Sequence, residues 1–170
     1  MPQIEMFFDL TCPYCYRGHK DLMEVLPGFD AAQILWRPVE AHPKTEEPEH
    51  KPYADLAVQG ALFVRNAGGD ELAYNERVYR AVFDEGLTPD DPAVLAQCAK
   101  DVGVDEVAFT AALKRGTYEQ ALREANDYAY EQNKVWAVPT FVCGKIRLDA
   151  VEGVGVTKDQ LKAFLTRCCQ

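Results

Sequence analysis

Two cysteines near the start of the chain, Cys12 and Cys15, are separated by Pro13 and Tyr14 and open a stretch with helical periodicity. Sulfurs three residues apart on one helical turn lie close enough to form a disulfide. At a helix N-terminus, free backbone N–H groups and the helix dipole stabilise a thiolate, and such thiols have pKa values of about 3.5–7.5 instead of about 8.5. The pattern predicts that Cys12 is a nucleophile and that Cys15, which faces the core, resolves the mixed disulfide.

Two other uses of this spacing are a structural zinc site and a structural disulfide. A zinc site needs a second closely spaced pair of Cys or His ligands, and the remaining cysteines and histidines do not supply one. A structural disulfide is disfavoured in a reducing compartment. Redox chemistry at the dithiol is therefore the favoured interpretation, and we predict no metal.

The other four cysteines are expected to have structural roles. Cys98 lies on an apolar helical face and Cys143 alternates with core positions of a strand, so both are predicted to pack in the core. Cys168 continues the buried stripe of the last helix, whereas Cys169, rotated by about 100°, is predicted to face solvent. This difference disfavours a bridge between Cys168 and Cys169.

The elements that position the dithiol follow from hydrophobic periodicity. Residues 3–9 read as a largely buried strand, the dithiol opens a helix that ends at Pro27 and Gly28, and residues 34–39 form a second strand. Near the other end, residues 140–143 and 146–150 flank a Gly-Lys turn and predict a hairpin. Thr157 and Gln160 then form the pattern of a capping box that starts a last helix. The order is βαβ, a middle segment, then ββα.

The middle segment is expected to be almost entirely helical. Candidate helices are 53–66, 70–85, 92–102, 105–115 and 118–133. We predict that residues 1–50 and 134–170 form the core and that residues 51–133 form a helical insertion subdomain.

Composition narrows the classes of function. The 170 residues carry a net charge of −9, which disfavours nucleic-acid binding because such proteins concentrate Lys and Arg. No apolar run approaches the ~18 residues that a membrane span needs. The first residues lack a secretory pattern, so a cytoplasmic location is expected.

Residues 7–18 (FFDLTCPYCYRG), the Val-Pro-Thr-Phe-Val segment at 138–142 and the helical segment between them resemble the DsbA-like thioredoxin-fold family. The non-secreted FrnE-type branch is the most similar. The resemblance implies an α/β thioredoxin fold, βαβ…ββα, with an all-helical insertion. It also implies a protein-disulfide oxidoreductase that acts on protein or peptide disulfides and dithiols, with glutathione as a further partner. The dithiol carries the electrons, so no organic cofactor is expected.

The resemblance also assigns roles around the dithiol. Pro139 is implied to follow a cis peptide bond and to face the dithiol, which would turn the backbone of Val138 toward an extended substrate beside Pro13 and Tyr14. The alternative is that Pro139 is only a strand-entry residue. Glu40, at the end of the second strand, occupies a place where related proteins carry an acidic residue, and it is predicted to accept a proton from Cys15.

The chain departs from DsbA in its intervening dipeptide, which is Pro-Tyr in place of Pro-His. Arg17, His19 and Lys20 follow the dithiol and could support a thiolate, but surface positions are favoured.

Two other classes of function stay open. One is a glutathione-dependent isomerase or transferase of the kappa or hydroxychromene-carboxylate isomerase type, which generally has a serine in place of the first cysteine. The other is a non-enzymatic peptide-binding holdase that uses the groove at Val138 and Pro139.

Overall fold

The computed structural model describes residues 2–30 and 32–170. Within them, a four-stranded sheet has the order β2-β1-β3-β4. The strands are β1 (Gln3–Phe8), β2 (Gln33–Pro38), β3 (Thr140–Cys143) and β4 (Ile146–Asp149). Strand β1 pairs in parallel with β2 and antiparallel with β3, and β3 and β4 form the predicted hairpin. The predicted βαβ unit and hairpin are confirmed.

Seven α-helices surround the sheet in the described residues. They are α1 (Pro13–Val25), α2 (Asp55–Asn66), α3 (Glu71–Tyr79), α4 (Pro92–Asp101), α5 (Glu106–Arg115), α6 (Glu119–Asp127) and α7 (Lys158–Cys168). Helices α3 and α6 continue into π-helical turns at Arg80–Asp84 and Tyr128–Gln132, and α1 is followed by a 3₁₀ turn at Leu26–Gly28. Each predicted helix is therefore present, and its ends lie within two or three residues of the predicted ends.

Local capping explains where several helices begin. The side chains of Asp70, Asp91 and Asp105 accept hydrogen bonds from backbone N–H groups in the first turns of α3, α4 and α5. Such caps satisfy donors that have no partner inside the helix. Thr157 and Gln160 form the predicted capping box at α7.

Strand β1 is covered on both faces, as the apolar Ile4, Met6 and Phe8 on one side and Phe7 on the other predict. Ile4, Met6 and Phe8 belong to a large buried cluster that also includes residues of α1, the middle helices and α7. Phe7 points to the other face, into a smaller cluster with Val135 of the chain leading to β3. This alternation is the twofold period of a strand. The division into a core of residues 1–50 and 134–170 and a helical insertion subdomain of residues 51–133 stays a prediction.

Three predicted surface or core positions can be checked directly. Cys98 is buried, as predicted. The prediction of a surface position for His19 is wrong, because only 3% of this residue is exposed. Its ring packs against the rings of Trp36 and Tyr79. Cys169, which was predicted to face solvent, is half-buried, and as the C-cap of α7 its backbone lies outside the helical region.

Among residues 2–30 and 32–170, no helix combines the length and apolar character needed to cross a bilayer.

Candidate active site

The dithiol lies at the junction of β1 and α1. Cys12 is the N-cap of α1, and its sulfur accepts a hydrogen bond from the backbone N–H of Cys15 at 3.4 Å. Pro13 occupies the first turn, where its missing N–H would have no partner in the helix. Its ring also pre-sets the backbone for helix formation. The sequence thus folds so that the Cys12 sulfur lies at the N-terminal end of α1, where it accepts from a backbone N–H of the first turn.

The two thiols have opposite acid–base properties. Hydrogen bonding from Cys15 lowers the pKa of the half-buried Cys12 thiol from its ordinary value. Burial raises the pKa of the Cys15 thiol well above its ordinary value, and none of this residue is exposed. Desolvation disfavours the charged form of a buried acid, whereas donors pointed at a sulfur favour its anion. At neutral pH, Cys12 is therefore the thiol poised to be a thiolate.

A buried carboxylate, Asp9, lies directly beneath the dithiol. Its backbone N–H donates to the Cys15 sulfur at 3.5 Å, and its backbone oxygen accepts from the Cys12 N–H at 3.1 Å. Its carboxylate accepts from the Thr11 backbone and hydroxyl at 2.7 and 2.6 Å and from the Ala41 N–H at 2.8 Å. Burial raises the pKa of Asp9, and the Asp9 charge raises the pKa of both cysteines.

Sequence reasoning missed Asp9 as a site residue. The available signal was an acidic residue directly after the apolar pair Phe7 and Phe8, three positions before the first cysteine. A buried carboxylate whose pKa is perturbed beside nucleophiles marks a candidate functional group.

The segment before β3 forms the facing wall. The peptide bond between Val138 and Pro139 is cis, as the resemblance implies. The Thr140 hydroxyl donates to the Ala137 carbonyl at 2.7 Å, which closes the turn. A Cβ built on Gly18 would lie 3.1 Å from Cγ of Pro139, so the proline packs tightly on α1 one turn after the dithiol.

Cys12, Pro13, Tyr14 and Val138 line one open cleft of about 370 Å³. Cys15 and Pro139 do not line it: Cys15 is buried behind Cys12, and Pro139 is buried against α1. The structure thus brings the predicted substrate-binding residues and the predicted nucleophile to a common surface.

Two loops complete the cleft. In the first, the rings of His42 and His50 stack with their centroids 3.6 Å apart. The second is residues 150–153, and the neighbouring Val154 carbonyl accepts a hydrogen bond from Arg17. Gly155 adopts φ +82°, and a Cβ there would lie 3.2 Å from Cβ of Tyr14. Only glycine allows this loop to approach the dithiol helix so closely.

Glu40 lies beside this cleft, and its carboxylate forms a hydrogen bond with neither Cys12 nor Cys15. Its carboxylate accepts from the Lys44 N–H at 3.0 Å and from the Asn126 side chain at 3.1 Å, and its backbone carbonyl accepts from the Tyr130 hydroxyl. Burial raises the pKa of Glu40, and the charge of Asp9 contributes in the same direction.

Within the described part of the chain, no group of three or more His, Cys, Asp or Glu residues is arranged to hold a metal ion. All six cysteines are free thiols in this structure.

A dithiol at the start of the first helix of a βαβ…ββα fold, facing a cis-proline turn, defines the thioredoxin-like class of dithiol proteins. The family model of the DsbA-like thioredoxin domain matches residues 3–65 and 53–165, and the chain belongs to this family. The predicted α/β thioredoxin fold is confirmed.

Three individual similarities add to this assignment. The uncharacterised protein YwbO of Bacillus subtilis is 29% identical over 188 aligned positions, which cover 90% of this chain and 92% of that protein. The structure of a probable DsbA oxidoreductase, SCO1869 of Streptomyces coelicolor, superposes with a TM-score of 0.83 at 16% identity, over 99% of this chain and 90% of the other. Oxidised BdbD of B. subtilis superposes with a TM-score of 0.74 at 16% identity, over 98% and 86%. The two solved structures share the fold.

Proposed function

We propose that this protein is a thiol–disulfide oxidoreductase in which Cys12 forms a mixed disulfide with protein or peptide substrates. The observation that carries the proposal is the position of the Cys12 thiol, which caps α1, lines an open cleft and has a lowered pKa. These properties supply an accessible thiolate, which is the attacking species in disulfide exchange.

The proposed cycle has two steps. The Cys12 thiolate attacks one sulfur of a substrate disulfide, the substrate S–S bond breaks, and the other substrate sulfur leaves as a thiolate. Cys15 then loses its proton and attacks the Cys12 sulfur, which releases the first substrate sulfur and leaves a Cys12–Cys15 disulfide. Two electrons pass from the dithiol to the substrate, and the reverse sequence oxidises a substrate dithiol. The scheme uses no organic cofactor.

The second step needs a proton acceptor, because the pKa of Cys15 is far above neutral. We assign this role to Asp9, because its backbone N–H contacts the Cys15 sulfur, its charge raises the pKa of Cys15 and its own raised pKa increases its affinity for a proton. Glu40 was predicted for this role from the family resemblance. In the proposal Glu40 is an electrostatic neighbour of Asp9, because its own contacts are with Lys44, Asn126 and Tyr130.

The cleft supports binding of an extended substrate segment. Such a segment would hydrogen-bond to the backbone of Val138 and contact Pro13 and Tyr14, with the scissile disulfide at Cys12. Pro139 would hold Val138 in place from behind through its packing on Gly18.

Three finer assignments accompany this function. We propose membership of the FrnE-type branch, which the motif at 7–18 supports, and a cytoplasmic location, which the non-secreted character of that branch supports. We also propose that residues 51–133 are an insertion into a core formed by residues 1–50 and 134–170.

Trapping the intermediate tests the redox mechanism. Cys15→Ser incubated with oxidised glutathione should accumulate a glutathione adduct on Cys12, because attack proceeds and resolution cannot. Peptide mass mapping under non-reducing conditions locates the adduct. Cys12→Ser is the matched control, and it should form no glutathione adduct on the peptide that contains residues 12–15. A Cys15→Ser protein that stays unmodified would contradict the mechanism.

The two other classes of function are less favoured. The kappa-type enzymes generally lack the first cysteine, and here Cys12 is present. A holdase would keep binding unfolded clients after both cysteines are replaced by serine, whereas the oxidoreductase would lose all turnover.

A further inference from the structure

Three of the four cysteines outside the dithiol site lie together, where the ends of β3 and α7 meet. Cys143 is the last residue of β3, Cys168 is the last residue of α7, and Cys169 follows as the C-cap of that helix. All three are half-buried free thiols. The proposed function uses none of them.

The packing of α7 on β3 brings Cys143 and Cys168 opposite each other. The rings of Phe141 and Phe164 are in contact, with centroids 6.1 Å apart. Cys143 lies two residues beyond Phe141 on the same face of the strand. Cys168 lies one turn beyond Phe164 on the same face of the helix. Both cysteines pack against the buried cluster that contains these rings, and their thiols are in hydrogen-bonding contact.

The two thiols of this pair are unequal. Burial and the contact with Cys143 raise the pKa of the Cys168 thiol to about 12. Cys15 stands in the same relation to Cys12, because burial and the contact with Cys12 raise its pKa. Cys168 is therefore the less reactive thiol of its pair, and a first attack on a disulfide falls to Cys143.

This pair is separate from the dithiol at Cys12. Strand β3 runs antiparallel to β1, with Val142 opposite Glu5. Cys143 therefore lies toward the start of β1, whereas Cys12 follows the end of that strand. The two pairs lie at opposite ends of the sheet, so they cannot exchange disulfides within one molecule.

We propose that Cys143 and Cys168 are a second redox-active dithiol, which a low-molecular-weight disulfide, here oxidised glutathione, converts to an intramolecular disulfide. The Cys143 thiolate attacks one sulfur of oxidised glutathione, the S–S bond breaks, and one glutathione leaves as a thiolate and takes up a proton. Cys168 then loses its proton and attacks the Cys143 sulfur, which releases the second glutathione. Two electrons pass from the protein dithiol to oxidised glutathione, which becomes two molecules of the thiol.

The positions of both cysteines at element ends favour this bond. Two sulfurs in hydrogen-bonding contact must approach further, to about 2.05 Å, to form a disulfide. Cys168 belongs to the last turn of α7, where the helix is least constrained, and Cys143 adjoins the turn at Gly144 and Lys145. Either end can move without displacing the core. The bond would fix the end of α7 on the sheet.

Oxidation can be measured without the dithiol site. The full-length Cys12→Ser/Cys15→Ser variant is incubated with oxidised glutathione, digested and mapped by tandem mass spectrometry under non-reducing conditions. The main product should join Cys143 to Cys168, and the wild type should form the same bond. An unreacted pair, or a glutathione adduct on Cys143 that never resolves, would overturn the proposal.

The vicinal cysteine provides a matched pair of variants. In the Cys12→Ser/Cys15→Ser background, Cys169→Ser should retain the cross-link to Cys143, whereas Cys168→Ser should lose it. Cross-linking that survives Cys168→Ser and is lost in Cys169→Ser would assign the bond to the wrong residue and overturn the proposal.

Thermal unfolding shows whether the bond fits the native fold. Oxidised Cys12→Ser/Cys15→Ser should unfold roughly 5–10 °C above its reduced form, because the cross-link restricts the unfolded chain. The same comparison with Cys143→Ala added should show no shift. An oxidised form that is no more stable than the reduced form would mean that the bond strains the fold, and it would overturn the proposal. These results do not depend on the proposed function, since both of its cysteines are replaced.

Discussion

Cys12 and Cys15 share one helical turn, yet their surroundings divide the chemistry between them. The Cys12 sulfur receives a backbone N–H and opens to a cleft, whereas Cys15 is sealed behind it on Asp9. One thiol is thus poised for attack from outside, and the other can react only with its neighbour. This division explains why a mixed disulfide would form at Cys12.

Cys12 should be the fastest thiol to alkylate. Its lowered pKa gives it the largest thiolate fraction near neutral pH, whereas burial raises the pKa of Cys15 and brings that of Cys168 to about 12. Timed iodoacetamide labelling at pH 6.5–7.5 with peptide mapping measures the order. Earlier labelling of Cys143 or Cys169 would show that the nucleophile has been misassigned.

Asp9→Asn should affect the two chemical steps in opposite directions. The Asp9 charge raises the pKa of both thiols, so its removal should shift the pH midpoint of Cys12 alkylation downward. Steady-state turnover should fall, because Cys15 loses its proton acceptor. Stopped-flow measurement of mixed-disulfide formation and decay separates the steps. Glu40→Gln is the comparison variant, and a slower decay in Glu40→Gln than in Asp9→Asn would return the role to Glu40.

The dithiol could be predicted from the sequence, whereas the neighbouring carboxylate of Asp9 could not. The reason for this difference is physical. Cys12 and Cys15 need only local helix geometry to become a reactive pair. Asp9 becomes a site residue because Ala41, which is distant in sequence, donates to its carboxylate and because the sheet buries it. A strand-end aspartate is solvated in most proteins, so burial of this residue is a tertiary effect.

At the scale of elements, the packing of α2 on its neighbours depends on the absence of one side chain. A Cβ on Gly60 would lie 2.2 Å from the Tyr74 hydroxyl and 2.7 Å from Cζ of Phe109. Gly60→Ala should therefore destabilise the fold by about 1–3 kcal/mol, although alanine is the better helix former by about 1 kcal/mol. Urea unfolding measures the change.

Gly28→Ala is the matched control, since a Cβ there meets nothing within 4 Å. Its unfolding midpoint should stay close to that of the wild type. A Gly60→Ala protein as stable as Gly28→Ala would show that α2 can move away from α3 and α5 without cost.

Element ends were predictable from local sequence, whereas the His42 and His50 wall of the dithiol cleft was not. Asp105 and Thr157 cap their helices through hydrogen bonds that span two or three residues, so the local sequence contains the whole signal. The dithiol cleft instead joins residues near Cys12, the stacked His42 and His50, and the chain around Val138. Only the sheet order brings these segments together, and no local pattern encodes their distances.

The redox state of the dithiol should be coupled to the folding stability of the entire chain. The folded-state pKa of Cys12 lies below the ordinary value of a cysteine thiol. Between these two pKa values, the unfolded reduced chain therefore binds more protons than the folded one, so the stability of the reduced form rises with pH in that window. The disulfide form lacks this thiol and should lack this rise.

Paired urea titrations test the coupling. The unfolding midpoint of the reduced protein minus that of the oxidised protein should increase between pH 6.5 and 8.5. Titrations that are common to both forms cancel in this difference. Below pH 8.5, the raised pKa of Cys15 contributes little to the change. Reduced Cys12→Ser should lose the rise, and a pH-independent difference in the wild type would mean that the fold does not stabilise the thiolate.

Strand β3 lies between β1 and β4, although more than half of the chain separates it from β1. During synthesis on the ribosome, β1, α1 and β2 emerge first, and they contain the local sequence that starts α1 at Cys12. The turn at Val138 and Pro139 emerges only after all the middle helices. A nascent chain therefore exposes the Cys12 thiol well before the turn that forms the facing wall of its cleft.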